Sequence, residues 1–198
     1  MDMHMVLSLM GSILILTGCI IYNWDMWWGK TTPNAATWCL AAFNATLTGI
    51  SYLVMTGDTL KSITPLTGAL TTMTIFLLSL GRGKFSPLTR IDCCTLGIGI
   101  MAMAAWQALD SPMMANLISM ATSIISFLPT YKGVWQGTNR ERPLPWFIWT
   151  TGVAVSLVVV LLRWRGHYED LVWGMVFLLL NGGVGILALW KNRREANG

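Results

Sequence analysis

A seven-helix membrane bundle built from two related halves is the fold this sequence predicts, and three observations predict it. Of 198 residues, 54% are hydrophobic and 11% charged, with a mean hydropathy of +0.57. That balance leaves too little polar side chain to clothe a soluble surface. The apolar residues gather in seven runs close to the ~20 residues that cross a bilayer. Finally, Trp27, Gly29 and Trp38 recur at unchanged spacing as Trp135, Gly137 and Trp146. Each set joins the end of one apolar run to the start of the next, as an internal duplication would leave them.

The runs are Met5 to Tyr22, Ala35 to Met55, Ile63 to Leu80, Cys93 to Leu109, Met113 to Thr130, Pro145 to Leu162 and Leu171 to Trp190. Unbroken stretches such as Val153 to Leu162 do not alternate as barrel strands must, so the runs are read as helices. The first could pass for a signal peptide, since Leu16-Thr17-Gly18-Cys19 resembles a lipoprotein cleavage box. The start, Met1 to Met5, carries no Lys or Arg, and the duplication pairs this run with the fifth, so it is kept as a mature helix. Residues 1–85 and 112–198 then form two three-helix copies, the second with a short basic tail, and residues 86–111 hold a linker helix. Three crossings reverse the chain and a fourth restores its direction, which sets the copies parallel about an axis along the membrane normal. The short connections leave no room for a soluble domain.

Charge orients the bundle. Lys30, Arg82, Lys84, Arg90, Lys132, Arg140, Arg142, Lys191, Arg193 and Arg194 fall on the side of the C-terminus, against Lys61, Arg163 and Arg165 opposite. Cytoplasmic loops retain Lys and Arg, so the N-terminus is expected outside and the C-terminus in the cytoplasm, in the plasma (inner) membrane of a prokaryote. The net charge of +4 follows from topology and contact with anionic headgroups, with no nucleic acid required. Trp24, Trp27, Trp28, Trp135, Trp146 and Trp190 at one level, with Trp106, Trp164 and Trp173 at the other, read as interfacial belts. Cys19, Cys39, Cys93 and Cys94 form no CxxC pair and are expected as reduced thiols, Cys93 and Cys94 as small buried hydrophobes.

Polar residues at mid-depth mark where a solute would sit. Ser12, Asn44, Thr72, Thr122 and Asn181 all lie near the middle of their runs, at ~1.5 Å per residue. A midplane amide must face protein or a wet cavity, and repeat interfaces are where transporters bind solutes. The alternative for each is a hydrogen bond across a helix interface. Trp38 and Trp149 lie deeper than the belts and are candidates to line the same interior, with packing weighed above ligand stacking. Thr72 with Met73 is the candidate opposite wall. Gly182, Gly183 and Gly185 beside Asn181 are expected to allow close helix approach.

This plan of two three-helix bundles around a linker helix resembles the SWEET and PQ-loop superfamily of small transporters. Pro129-Thr130 stands where that family's Pro-Gln pair would be, and the resemblance implies a hinge at Pro129. Ile21 occupies the equivalent place in the first copy. Bacterial nicotinamide-riboside transporters share the architecture and carry a WxxW pattern continuing to Asn or Asp. Trp146-Phe147-Ile148-Trp149 is similar, but Val153 holds the final place, which argues against the same cargo. The resemblance makes Asn181 a substrate-contacting residue and implies transport of a small polar uncharged solute such as a sugar, nucleoside or vitamin.

Absences shape the rest. No titratable residue falls inside a run except at its ends, and Asp25, Asp92 and Asp110 are expected to be interfacial, so facilitative flux without ion coupling is expected. The last helix has no mid-span Lys for a retinal Schiff base, and no HExxH, P-loop or Ser-His-Asp set is present. His4 and His167 are expected as solvated residues. The sequence thus predicts no enzyme, no metal and no cofactor, with a small solute and the lipid bilayer as partners. A homo-oligomer stays open, as does a non-transporting receptor, sorting or assembly protein on the same scaffold.

Overall fold

The computed structural model describes residues 2–33, 35–82 and 90–197, and among them every regular element is an α-helix. The chain runs α1 (Met3–Trp27), α2 (Ala35–Thr56), α3 (Thr59–Arg82), α4 (Arg90–Leu109), α5 (Pro112–Gln136), α6 (Pro143–Leu162) and α7 (Glu169–Asn197). All but α4 are long and apolar enough to cross a membrane, whereas the apolar part of α4, Leu96–Leu109, falls short of that length. Several helices outrun the predicted apolar runs because helix continues past the hydrocarbon-like core into polar ends. Residues 83–89, where the first predicted boundary falls, lie outside the described residues.

Local chemistry sets the ends. Asp2 caps α1 by accepting the His4 amide, and Ser111 caps α5 by accepting the Met114 amide (3.4 Å) ahead of Pro112. Asp58 accepts the amides of Leu60 and Lys61 at the start of α3. The duplicated glycines have a shared physical reason. Gly29 and Gly137 follow α1 and α5 at φ of 67° and 72°, a left-handed turn that a side chain would oppose. The duplicated Trp27 and Trp135 are both exposed. The Arg82 guanidinium lies 3.9 Å from the Trp27 ring centroid, and Trp135 stacks on Trp190 at 5.4 Å.

Six helices close a ring in the order α1, α3, α2, α5, α7, α6 and back to α1, while α4 lies outside against α5 and α2. Each contact has a counterpart half a turn around: α1 on α3 with α5 on α7, α3 on α2 with α7 on α6, and α1 on α6 with α5 on α2. The last two are the seams between the first three helices and the last three. At one seam Gly11 meets Gly152 so closely that a Cβ on Gly152 would lie 2.9 Å from the Gly11 carbonyl oxygen. At the other, the positions 108 residues away are Ser119 and Asn44, and the Asn44 amide donates to the Ser119 carbonyl (3.2 Å). Gly183 and Gly185 make room for Tyr131 and Phe147, as close helix approach requires.

Gly152→Ala should lower thermal stability in detergent by about 1–3 kcal/mol, because its new methyl meets backbone that cannot retract. Gly182→Ala, whose nearest neighbour would be a Thr150 methyl at 3.5 Å, should leave the midpoint nearly unchanged. Equal effects in a paired thermal-unfolding measurement would contradict the packing described.

Candidate functional site

At the centre of the ring is a cavity of about 120 Å³ lined by all six ring helices and, among the described residues, by no charged side chain. It is comparable with an apolar cavity of ~150 Å³ that accepts a benzene ring. Its walls are aromatic. Trp38 of α2, Trp146 and Trp149 of α6, Phe127 of α5, and Trp173 and Phe177 of α7 all border it. Tyr22 packs behind them, 5.2 Å from Trp38 and 5.4 Å from Trp149 between ring centroids.

All five residues expected to bind solute border this cavity: Asn181, Asn44, Thr72, Trp149 and Trp38. Their hydrogen bonds divide them. Asn181 is 7% exposed and makes no hydrogen bond to a described residue. An amide with that degree of burial needs a partner, and the cavity is where one fits. Asn44 is partly structural. Its Nδ2 donates to the Ser119 carbonyl and to Ser123 Oγ (2.5 Å), while its Oδ1 is left without a partner. Thr48 Oγ1, also on the wall, is likewise buried and unpaired. The Thr72 hydroxyl bonds back to the Gly68 carbonyl within its own helix (2.6 Å). Trp149 directs its N–H to the Ile15 carbonyl across the α1–α6 seam (3.1 Å), so its ring rather than its donor faces the cavity.

Other expectations are corrected. Met73 is 36% exposed and off the wall. Ser12 sits beside Thr64, and Thr122 bonds the Ile118 carbonyl, so neither faces the cavity. Trp146 and Trp173, placed in the belts by their depth, are buried at 3% and 6% because their helices turn those faces inward. Cys93 and Cys94 are exposed rather than buried, since α4 is outside the ring. Pro129, the expected hinge, lies within α5 and off the cavity wall, where the static helix does not test hinging.

Carboxylates at the ends of the bundle are more buried than their position in the sequence suggests. Asp25, expected to be interfacial, is 1% exposed and pairs with Arg142 at 2.8 Å. Asp110 is exposed, and the Asp92 side chain lies outside the described residues. At the end of the bundle opposite Asp25, Lys61 of α3 pairs with Asp170 of α7 at 2.5 Å, both almost wholly buried, and Arg163 pairs with Asp58 at 2.7 Å. Burial raises the Asp58 carboxyl, but the Arg163 bond and the two capping amides outweigh it and hold it below the ordinary carboxylate range. Its stabilising contribution is present at neutral pH and is lost as the pH falls through the depressed value. These acids and bases escaped notice because each sits one or two residues from a helix end, where hydropathy reads as surface. Their spacing along the chain, 109 residues for Lys61 and Asp170, offers no local signal. Asn116, which donates to the Thr48 carbonyl and Ser51 Oγ, also had none.

Asn44→Ala should lower stability by about 1–3 kcal/mol through loss of the two hydrogen bonds it donates across the α2–α5 seam. Asn181→Ala should leave the stability within about 0.5 kcal/mol of the parent, because no bond to a described residue is lost. The reverse ranking would place the structural amide at 181 instead. No protein-family model, curated protein or solved structure matches the chain, so its functional reading rests on this cavity and its seams.

Proposed function

We propose that the chain is a multi-pass membrane protein that passes a small, polar, uncharged solute through the ring centre by alternating access of its two halves. In this reading α4 is a seventh crossing, a linker in the manner of the SWEET and PQ-loop transporters. The N-terminus is outside and the basic C-terminal end lies in the cytoplasm of a prokaryote, as the distribution of Lys and Arg suggests. The observation that carries the proposal is Asn181, a buried amide without a hydrogen-bond partner among the described residues, on the wall of a cavity shared by both halves.

The wall favours a particular solute shape. Aromatic faces attract flat or sugar-like rings, and the amide of Asn181 offers one donor and one acceptor side by side. The volume accommodates about one ring. Lining without charge disfavours an ionic solute, whose buried charge would lack a counter-ion. Flux is read as facilitative, with solute moving down its own gradient.

A second reading, a non-transporting receptor or assembly protein, draws support from Asn44, whose donor holds two helices together. Uptake into proteoliposomes against a panel of sugars, nucleosides and vitamins separates the two. Transport predicts saturable flux of at least one solute, symmetric when its gradient is reversed and lost in Asn181→Ala at unchanged folded yield. Flux undiminished in Asn181→Ala, or no flux for any ring-sized neutral solute, would turn the choice to the second reading. For orientation, a cysteine at exposed Thr138 should label only after permeabilisation, and one at exposed Thr59 from outside. The opposite pattern would invert the topology.

A further inference from the structure

Glu141 lies in the α5–α6 connection, outside the helices, yet is only 5% exposed. Its two carboxyl oxygens are held from the two halves of the molecule. Tyr22 of α1 donates its hydroxyl to Oε1 (3.1 Å), and Trp146 of α6 donates its indole N–H to Oε2 (3.2 Å). Both donors belong to the aromatic cluster at this end of the cavity, with ring centroids 6.3 Å apart. We propose that Glu141 is a proton-binding site whose occupancy sets whether this end of the α1–α6 seam is closed.

The surroundings leave the carboxyl without a counter-ion. From α1, Asp25 is directed to Arg142, so the neighbouring guanidinium is already paired. Glu141 borders a surface cleft together with Lys30 of the α1–α2 connection, Arg140 and Arg142, but Lys30 and Arg140 are exposed and make no ion pair with it. From α7, Asn192 donates to the Glu141 backbone carbonyl (3.4 Å), and Lys191 bonds the Trp135 carbonyl. An ionised carboxylate here therefore has two neutral donors and, among the described residues, no ion pair.

Burial is the larger influence and exceeds the two bonds, so the carboxyl is pushed up to about 7. In an opened seam, wetted, it would return toward ~4.3. The closed form thus holds the proton more tightly than the open form. Closure is favoured at low pH and weakens as pH rises through about 7. The proton acts as a regulatory ligand of the gate. This deepens the transport reading by assigning regulation to the same site, and its readouts do not depend on solute movement.

Infrared titration of the reconstituted protein tests the site. The carbonyl stretch of a protonated carboxyl should disappear with a midpoint near 7 and be absent in Glu141→Gln. Tyr22→Phe removes a bond that favours the ionised form and should move the midpoint upward. Trp146→Phe removes the other donor and reads the same shift. Gate opening is read by thiol labelling of a cysteine at Thr37, which borders the cavity at this end, with the native cysteines replaced by serine. Each rate is divided by that of the same cysteine in the Glu141→Gln background, which cancels reagent chemistry. The ratio should be near one at about pH 5.5 and rise roughly threefold or more at about pH 8.5. A ratio independent of pH, or a midpoint unmoved in both donor variants, would overturn the proposal. A titrating gate without solute uptake would count against the transport reading alone.

Discussion

Lys61 has no place for its charge except against Asp170, and that constraint organises the bundle. The pair is buried and its members come from different halves, as do Asp25 with Arg142 and Asp58 with Arg163. Removing one member of a buried pair strands the other at a cost of about 3–5 kcal/mol, so neither end can part without giving its charges water or a new partner. Lys61 with Asp170 and Asp58 with Arg163 close one end, while Asp25 with Arg142 and the Glu141 cluster close the other. Between them lies a cavity with unpaired polar groups. A machine that opens one end at a time would rehydrate one set of charges while the opposite set keeps the halves together.

The two seams are equivalent in position and different in chemistry. Across α2 and α5, Asn44 and Asn116 each donate two hydrogen bonds, which fixes the register of the helices. Across α1 and α6, the backbones meet at Gly11 and Gly152 with Trp149 bonded to the Ile15 carbonyl. Glycine contact imposes proximity without a directional bond, and the directional bonds of this seam come instead from Trp149 and, at one end, from Tyr22 with Glu141 and Asp25 with Arg142. Pro65 and Pro129 add local softness, since each removes one helical amide and frees the carbonyl four residues before it.

Much of the fold was legible in the sequence, because bilayer-length apolar runs and a repeated Trp and Gly pattern are signals along the chain. The repeated glycines proved to be left-handed turn residues after corresponding helices, a backbone requirement that a sequence displays directly. Asn44, Thr72 and Asn181, singled out by their similar positions within their runs, all border the central cavity. Facing was not legible. Trp146 and Trp173 have the depth of belt residues and the orientation of core residues, and only packing distinguishes the two. The acids and bases at helix ends were equally hidden, because Tyr22 and Glu141 meet across 119 residues and only the closed ring brings them together.

The proposed transport requires the two halves to move as units about their two seams. Distance distributions between paired spin labels in nanodiscs test it most directly, with one pair across each end, at Trp28 with Thr138 and at Thr59 with Arg165. The account predicts two populations at each end, and a saturating solute or a pH change that shortens one distance should lengthen the other. A single narrow distribution at both ends, unmoved by pH and by every solute that binds, would show a rigid bundle and contradict it.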